Sequence, residues 1–343
     1  MPSEANEPGS ESGKRSDDRR AAARGTRAGS WSAQEGGASS HLAARLPPRS
    51  PGSFAAAGMR YPDRRLVPWR ALVLAAAVLA AACSALPVPK RASYHAADAD
   101  LSVTRIVHGA VILELGGTRL LVDPWFHSGF IVRQREPLGL TPEGLPSFTA
   151  VLLTHRHGDH FDETALARLA ATVPTAVARP ELHARLVKLG FRRVVDLDWW
   201  DGASLDGVTV TAVPARHGAP ENGYVVEGGR VQVYFAGDTR YFPELVDVAT
   251  RFPHLDAALL PVGGERYLGF GREMGPADAA RAAALLGPPE RVIPIGYGKR
   301  GGFPLRWFAR HPAERFVEEC KKRGIEAKRI VVLETGESWH YYK

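Results

Sequence analysis

A chain of 343 residues, 45% of them apolar, is long enough for one large domain or two small ones. The formal charge of +7 is unevenly placed: residues 1–70 carry twelve Lys/Arg against seven Asp/Glu, so only +2 remains elsewhere and nothing demands nucleic acid as a partner. Two cysteines, Cys83 and Cys320, do not point to a disulfide framework.

Residues 1–58 are rich in Ala, Gly, Ser, Pro and Arg without a sustained apolar period, and read as disordered. Met59 opens a basic segment, MRYPDRRLVPWR, followed by a twelve-residue apolar run at 71–82 and then Cys83. That run is short for a membrane span and has the form of a secretory signal. Ala80-Ala81-Ala82 before Cys83 resembles a bacterial lipobox, with Ala80 where Leu is commoner. The expectation is a lipoprotein-type signal peptide over 59–83, lipidation at Cys83, and a location on the bacterial cell envelope through that lipid anchor. A retained single-pass anchor is the alternative. A secretory signal belongs at an N-terminus, so translation from Met59 is expected, with residues 1–58 not translated.

Residues 84–100 form a linker stiffened by Pro87 and Pro89. Residues 102–107, 110–115 and 118–122 read as strands, the last two joined by a hairpin at Gly116-Gly117. Residues 127–148 form a loop able to rim a site. The apolar run 150–153 has the length of a buried strand and ends in THRHGDHFD, which places His155, His157, Asp159 and His160 within six positions. A loop leaving a rigid strand can aim several side chains at one point. Alternate residues of extended backbone face the same way, so His155 and His157 suit one metal, while Asp159 and His160 can turn to a neighbouring position. Imidazole with carboxylate suits zinc, manganese or iron better than calcium or magnesium.

Further along, 163–171 predicts a helix with Asp162 as its N-cap, and 180–189 a second one ended by Gly190. Residues 194–197, 208–213, 224–227 and 230–236 predict strands, the last pair joined through Gly228-Gly229. The adjacent Trp199 and Trp200 either line a rim or pack as ordinary core. Helices are expected at 241–251, 276–286 and 311–323, and strands at 257–262, 291–295 and 329–333. Cys320, on the last helix, reads as inert. Two runs of strands, each followed by helices, fit two sheets packed face to face with helices outside.

His155, His157, Asp159 and His160 match the His-x-His-x-Asp-His motif of the metallo-β-lactamase fold, and the motif has its companions in order. His217, in PARHG, resembles the third histidine of that family's first metal site. Asp238, in VYFAGDT, resembles its bridging aspartate. The likeness spans about residues 102–340. HGAVILELGGTRLLVDPWF, LLPVGG, MGPADAARA and VVLETGESW resemble the branch holding N-acylphosphatidylethanolamine-hydrolysing phospholipase D and the ascorbate-phosphate lactonases.

The resemblance implies a four-layered αββα sandwich, an α/β (α+β) fold, with the metal ligands on loops at one edge. It implies a catalytic zinc on His155, His157 and His217, whose open position lowers the pKa of bound water to ~7 and supplies hydroxide. It implies a second ion on Asp159 and His160 with Asp238 bridging, and Asp159 as a catalytic group that orients the hydroxide or takes its proton. His108 stands where relatives carry a histidine near the site, and Asp123 where a carboxylate orients a metal-bound histidine. Relatives complete the second metal with a late histidine. This chain reads Ile293-Pro294-Ile295-Gly296-Tyr297-Gly298, and glycine has no side chain to ligate with. His311, His254 or a water are the possible substitutes, so one tightly held zinc and a weak second ion are expected, manganese or iron being the alternatives. The function implied is metal-dependent hydrolysis of a phosphodiester or related ester, a phospholipid among the candidate substrates, or of a lactone. The competing class is a non-catalytic metal-binding envelope lipoprotein.

Overall fold

A computed structural model describes residue 94 and residues 98–301 and 306–343, all within the unit Pro68–Lys343. The expected disordered segment 1–58, the signal at 59–83 with Cys83, and most of the linker 84–100 lie outside the described residues. No helix among the described residues is long and apolar enough to cross a membrane.

Thirteen strands build the two main sheets. In chain order they are β1 (Leu101–Val107), β2 (Ala110–Leu115), β3 (Thr118–Val122), β4 (Ala150–Leu152), β5 (Thr175–Ala178), β6 (Arg193–Asp196), β7 (Gly202–Leu205), β8 (Val208–Pro214), β9 (Asn222–Gly228), β10 (Val231–Phe235), β11 (Ala257–Pro261), β12 (Arg291–Ile295) and β13 (Ser338–Tyr341). The first sheet has the order β13-β1-β2-β3-β4-β5-β6 and the second β12-β11-β10-β9-β8-β7. Among the described residues the α-helices are α1 (Glu163–Leu169), α2 (His183–Lys188), α3 (Leu245–Arg251), α4 (Pro276–Leu285) and α5 (Pro312–Lys322).

The period-2 alternation of each strand sorts its side chains between layers. Val111, Leu113, Ala150 and Leu152 of the first sheet share one core with Val233, Phe235, Ala257 and Leu259 of the second. Their neighbours point the other way: Ile112, Val151 and Leu153 meet Leu166 of α1 and Leu186 of α2. Tyr234, Ala258 and Leu260 meet Leu245 of α3, Ala279 of α4 and Phe316 of α5. Three apolar layers between four structural layers make the expected αββα sandwich. Burial on both faces explains why 150–153 reads as an unbroken apolar run.

The expected strand at 329–333 is not formed. Ala327–Arg329 is a 3-10 turn, and residues beyond it touch β12 through one isolated bridge, Ile330 to Val292. β13 instead closes the first sheet, antiparallel to β1, with Trp339 and Tyr341 against the shared core and Ser338 and His340 on the other face. Other boundaries shift for local reasons. Helix α3 begins at Leu245 rather than 241, because Pro243 disfavours helical backbone at the residue before it. The segment expected as a helix over 180–189 is a 3-10 turn, Pro180–Leu182, running into α2. Within the 127–148 loop, Val132–Gln134 pairs antiparallel with Lys299–Gly301, a contact between segments far apart in the chain.

Candidate metal centre

The site is assembled where β4 ends. Asp123, at the exit of the neighbouring β3, holds the first turn of the loop: Thr154 donates its backbone N–H to Oδ1 (2.8 Å) and its hydroxyl to Oδ2 (2.6 Å). His155, fully buried, then has Nδ1 3.1 Å from Glu221 Oε1 and turns Nε2 to the opposite side. His217 donates Nδ1–H to the carbonyl of Arg272 (2.7 Å), and since a carbonyl only accepts, its Nε2 carries the bare lone pair. His157 Nδ1 lies 2.9 Å from His155 Nε2 and 3.1 Å from His217 Nε2.

Three imidazole nitrogens this close, two of them with their ring protons committed elsewhere, need a shared cation more than they need one another. Nitrogens bound tetrahedrally to one zinc at 2.0–2.1 Å would be about 3.3 Å apart, so the donor set fits such an ion with little movement. Burial, and then the neighbouring His160 and His217, hold His155 well below the usual imidazole range. Burial, with His155 and His217 beside it, brings His157 down to about 3. Both rings are therefore neutral near pH 7, the form that ligates.

A second group lies alongside: His108, Asp159, His160 and Asp238 have ligand atoms within 4.8 Å of one another. His160 Nδ1 sits 2.8 Å from Asp123 Oδ2, so Asp123 stands against a histidine of this second group. His160 Nε2 then faces Asp238 Oδ2 at 3.1 Å. Burial alone would lower His160, but Asp238 and Asp123 override it and hold the ring well above its ordinary value. His108, placed by sequence near the site, is fully buried with Nε2 3.4 Å from Asp159 Oδ2, which makes it a possible ligand rather than only a neighbour.

Sequence reasoning missed the cation in this group. Lys299 Nζ lies 2.9 Å from Asp159 Oδ2, 3.2 Å from Asp238 Oδ2, 2.9 Å from Glu265 Oε2 and 3.6 Å from Glu273 Oε2. Despite burial, Asp159 and Asp238 hold its ammonium well above the ordinary lysine value. Asp159 in turn is kept well below the usual carboxylate range, burial opposing and Lys299 prevailing. Glu221 was also missed; its carboxyl is buried, accepts the Asp238 backbone N–H at 2.7 Å and is pushed up to about 8 by burial. The only sequence signals were a charged residue directly before β9 and a lysine three places after the missing histidine.

His311 and His254 do not reach either group, which corrects them as substitutes for the late histidine. His311 caps α5 beside Arg105 and Tyr297, and His254 lies in the turn between α3 and β11. Trp199 is half-exposed, donating to the carbonyl of Glu221, and Trp200 packs under Arg251, so the pair is surface packing. Cys320 is buried, its thiol pushed up to about 12, and is inert as expected.

Above the two groups opens a cleft of about 590 Å³. His157, Asp159, His217 and Lys299 line it, and apolar Phe130, Ile131 and Phe161, cationic Arg272 and Arg306 and acidic Glu265 share the lining. A Cβ on Gly218 would fall 2.0 Å from the Arg272 guanidinium, so glycine beside His217 is what lets that arginine lie across the site.

A β-lactamase superfamily domain matches residues 118–297. A UPF0173 metal-dependent hydrolase of Methanopyrus kandleri is 31% identical over 251 residues, 70% of this chain and 99% of the relative. The chain belongs to this family. Another UPF0173 metal-dependent hydrolase, from Pyrococcus furiosus, is 32% identical over 249 residues, 69% of this chain and 98% of its own. A metallo hydrolase structure from Ignicoccus hospitalis superposes with a TM-score of 0.55 at 24% identity, over 71% of this chain and 99% of that one, a likeness of fold. The chain is thus a metal-dependent hydrolase of the β-lactamase superfamily.

Proposed function

We propose that this UPF0173 hydrolase cleaves a phosphodiester or related ester of an amphiphile, as in the phospholipase D-like branch, using an ion held by His155, His157 and His217. The observation that carries this reading is the cleft: His157 and His217, two of the three converging imidazoles, line it together with cationic Arg272, Arg306 and Lys299 and with apolar side chains, and His155 lies buried behind them. A divalent ion with three neutral nitrogen ligands and an open position, zinc being the best chemical fit, supplies Lewis acidity and brings the pKa of water to ~7.

The remaining work falls to the protein. Asp159, ionised and at the cleft, is suited to accept a hydrogen bond from the attacking water and orient it rather than to take its proton. Arg272 and Arg306 are suited to meet the charge that grows on phosphoryl oxygens as water adds and the bond to the leaving alcohol breaks. Phe130 and Ile131, 91% and 63% exposed at the mouth, suit an acyl chain. Acyl chains on Cys83, inferred from sequence, would hold the enzyme at the envelope membrane where such a substrate lies; two or more are needed for stable anchoring.

The test is hydrolysis of bis(p-nitrophenyl) phosphate and of N-acylphosphatidylethanolamine vesicles by wild type and His157→Ala, with bound metal measured on both. Wild type should hydrolyse at least one, and His157→Ala should lose metal and activity while keeping its melting transition, since the three cores lie away from the loop. Activity retained by a metal-free His157→Ala protein would refute the site assignment. Hydrolysis of a lactone panel with neither phosphodiester cleaved would refute the substrate class.

A further inference from the structure

Two of the carboxylate oxygens that a second ion would draw on are already in use, although Asp238 Oδ1 is buried without a hydrogen-bond partner. Asp159 Oδ2 and Asp238 Oδ2 both face Lys299 Nζ, at 2.9 and 3.2 Å, and Glu265 Oε2 closes on it from another direction at 2.9 Å. His108 and His160 flank the same two oxygens at 3.4 and 3.1 Å. Lys299 is 3% exposed, so this ammonium is part of the interior of the site and not a surface charge resting against it.

Its position follows from the backbone. After β12 the chain turns at Gly296, whose N–H is bound to the His108 carbonyl at 3.1 Å. Gly298 passes so close to His108 that a Cβ there would lie 2.8 Å from the His108 nitrogen. Lys299 then pairs with Gln134 in the short ladder that ties this segment to the 127–148 loop. The tether leaves the side chain to run inward, toward the Asp238 carboxylate that Gly296 also adjoins: a Cβ added there would stand 3.1 Å from Pro261 and 3.6 Å from Asp238 Oδ1.

From this arrangement we infer that Lys299 is a built-in cation that takes the place of the second metal ion, so that the protein works with a single ion on His155, His157 and His217. A divalent ion and an ammonium cannot share the Asp159 and Asp238 oxygens, because each would lose its ligands to the other at a separation where like charges repel strongly. The replacement accounts for two departures together: a glycine where relatives ligate, and a lysine enclosed by four carboxyl groups. It also gives the ammonium a use, since Lys299 offsets carboxylate charge at the second position without depending on metal supply.

The inference rests on the reading that the three histidines hold an ion, and the experiment separates the two. Wild type, Lys299→Met, Lys299→Arg and His155→Ala are loaded with Zn²⁺, dialysed and analysed for metal, with calorimetric titration of Zn²⁺ and circular dichroism on each. We expect one ion in wild type and Lys299→Arg, none in His155→Ala, and two in Lys299→Met, with second-site affinity raised at least 100-fold over wild type. Should Lys299→Met fail to fold around its uncompensated carboxylates, Lys299→Met/Glu265→Gln, which removes one of them, is measured in its place with the same expectation of two ions. Two tightly held ions in wild type, one retained by His155→Ala, or a folded Lys299→Met protein that still binds one would overturn it. A wild type that binds no ion would refute the three-histidine reading itself, and this inference with it.

Discussion

Asp123→Asn should separate the fold of the site from its metal chemistry. The wild-type carboxylate is fully buried and accepts from three donors: the Thr154 amide, the Thr154 hydroxyl and His160 Nδ1. Its backbone has φ 45°, a left-handed conformation that asparagine tolerates nearly as well as aspartate, so the substitution adds no backbone strain. What changes is the donor balance, because an amide offers one oxygen and turns an NH₂ toward groups that also donate. If the oxygen stays with the Thr154 amide, His160 must give up the proton on Nδ1 and its charge, and the pairing with Asp238 weakens.

Loss of one charge-assisted bond costs about 1.5–3 kcal/mol, and breaking a buried pair costs roughly 3–5 kcal/mol. We therefore expect about 3 kcal/mol of destabilisation in urea unfolding of the metal-free protein. The sign of the pH dependence is set by His160, whose native pKa is raised. Its contribution is complete below the unfolded value of ~6.5 and is lost as the pH climbs through the raised native value, so the measurement belongs at pH 6. The three-histidine ion, which Asp123 does not touch, should bind within a few-fold of wild type. A loss below ~1 kcal/mol at pH 6 would show that Asp123 does not hold the first turn of the metal loop.

Acid should strip the first ion later than from a solvated site. Between pH 7 and 5 an ordinary imidazole of pKa ~6.5 costs about 25-fold in metal affinity through proton competition, whereas His157 at about 3 costs almost nothing. Metal analysis after dialysis at pH 5 checks this, and release centred near pH 6.5 would contradict it. Gly296→His alone should not create a second tight site, because Lys299 remains in place. With φ 74° and Pro261 3.1 Å from the new Cβ, it should instead destabilise by about 1–3 kcal/mol in thermal or urea unfolding, and a second ion surviving dialysis would argue otherwise. Finally, mass spectrometry of membrane-extracted protein should find a mature N-terminus at Cys83 carrying acyl chains; an unmodified N-terminus or a retained 71–82 segment would refute the lipid anchor.

Much of this protein is legible in one dimension because its signals are local. The unbroken apolar run 150–153 marks a strand buried on both faces, and the four ligand-type residues behind it fall within six positions. Asp162 could be named as a cap from its place before a helical pattern, and it accepts the Ala165 amide at 3.0 Å. Gly296 was visible as a gap in a known pattern. What filled the gap was not, because Lys299 meets Asp159 across 140 positions and enters the site through a two-strand ladder with residues 132–134. Glu221 likewise matters only once β9 lies across from β4. The closing strand too depends on packing: the more apolar 330–333 only bridges β12 at Ile330, while the alternating Ser338–Tyr341 segment pairs with the edge of β1 and turns Trp339 and Tyr341 to the core. Sequence alone determined the residue types of the metal loop and the layers they hang from, since both follow from period and proximity along the chain. Which charges meet at the second position depended on the tertiary structure, because segments far apart in the chain must first be packed together before a lysine can stand among four carboxyl groups.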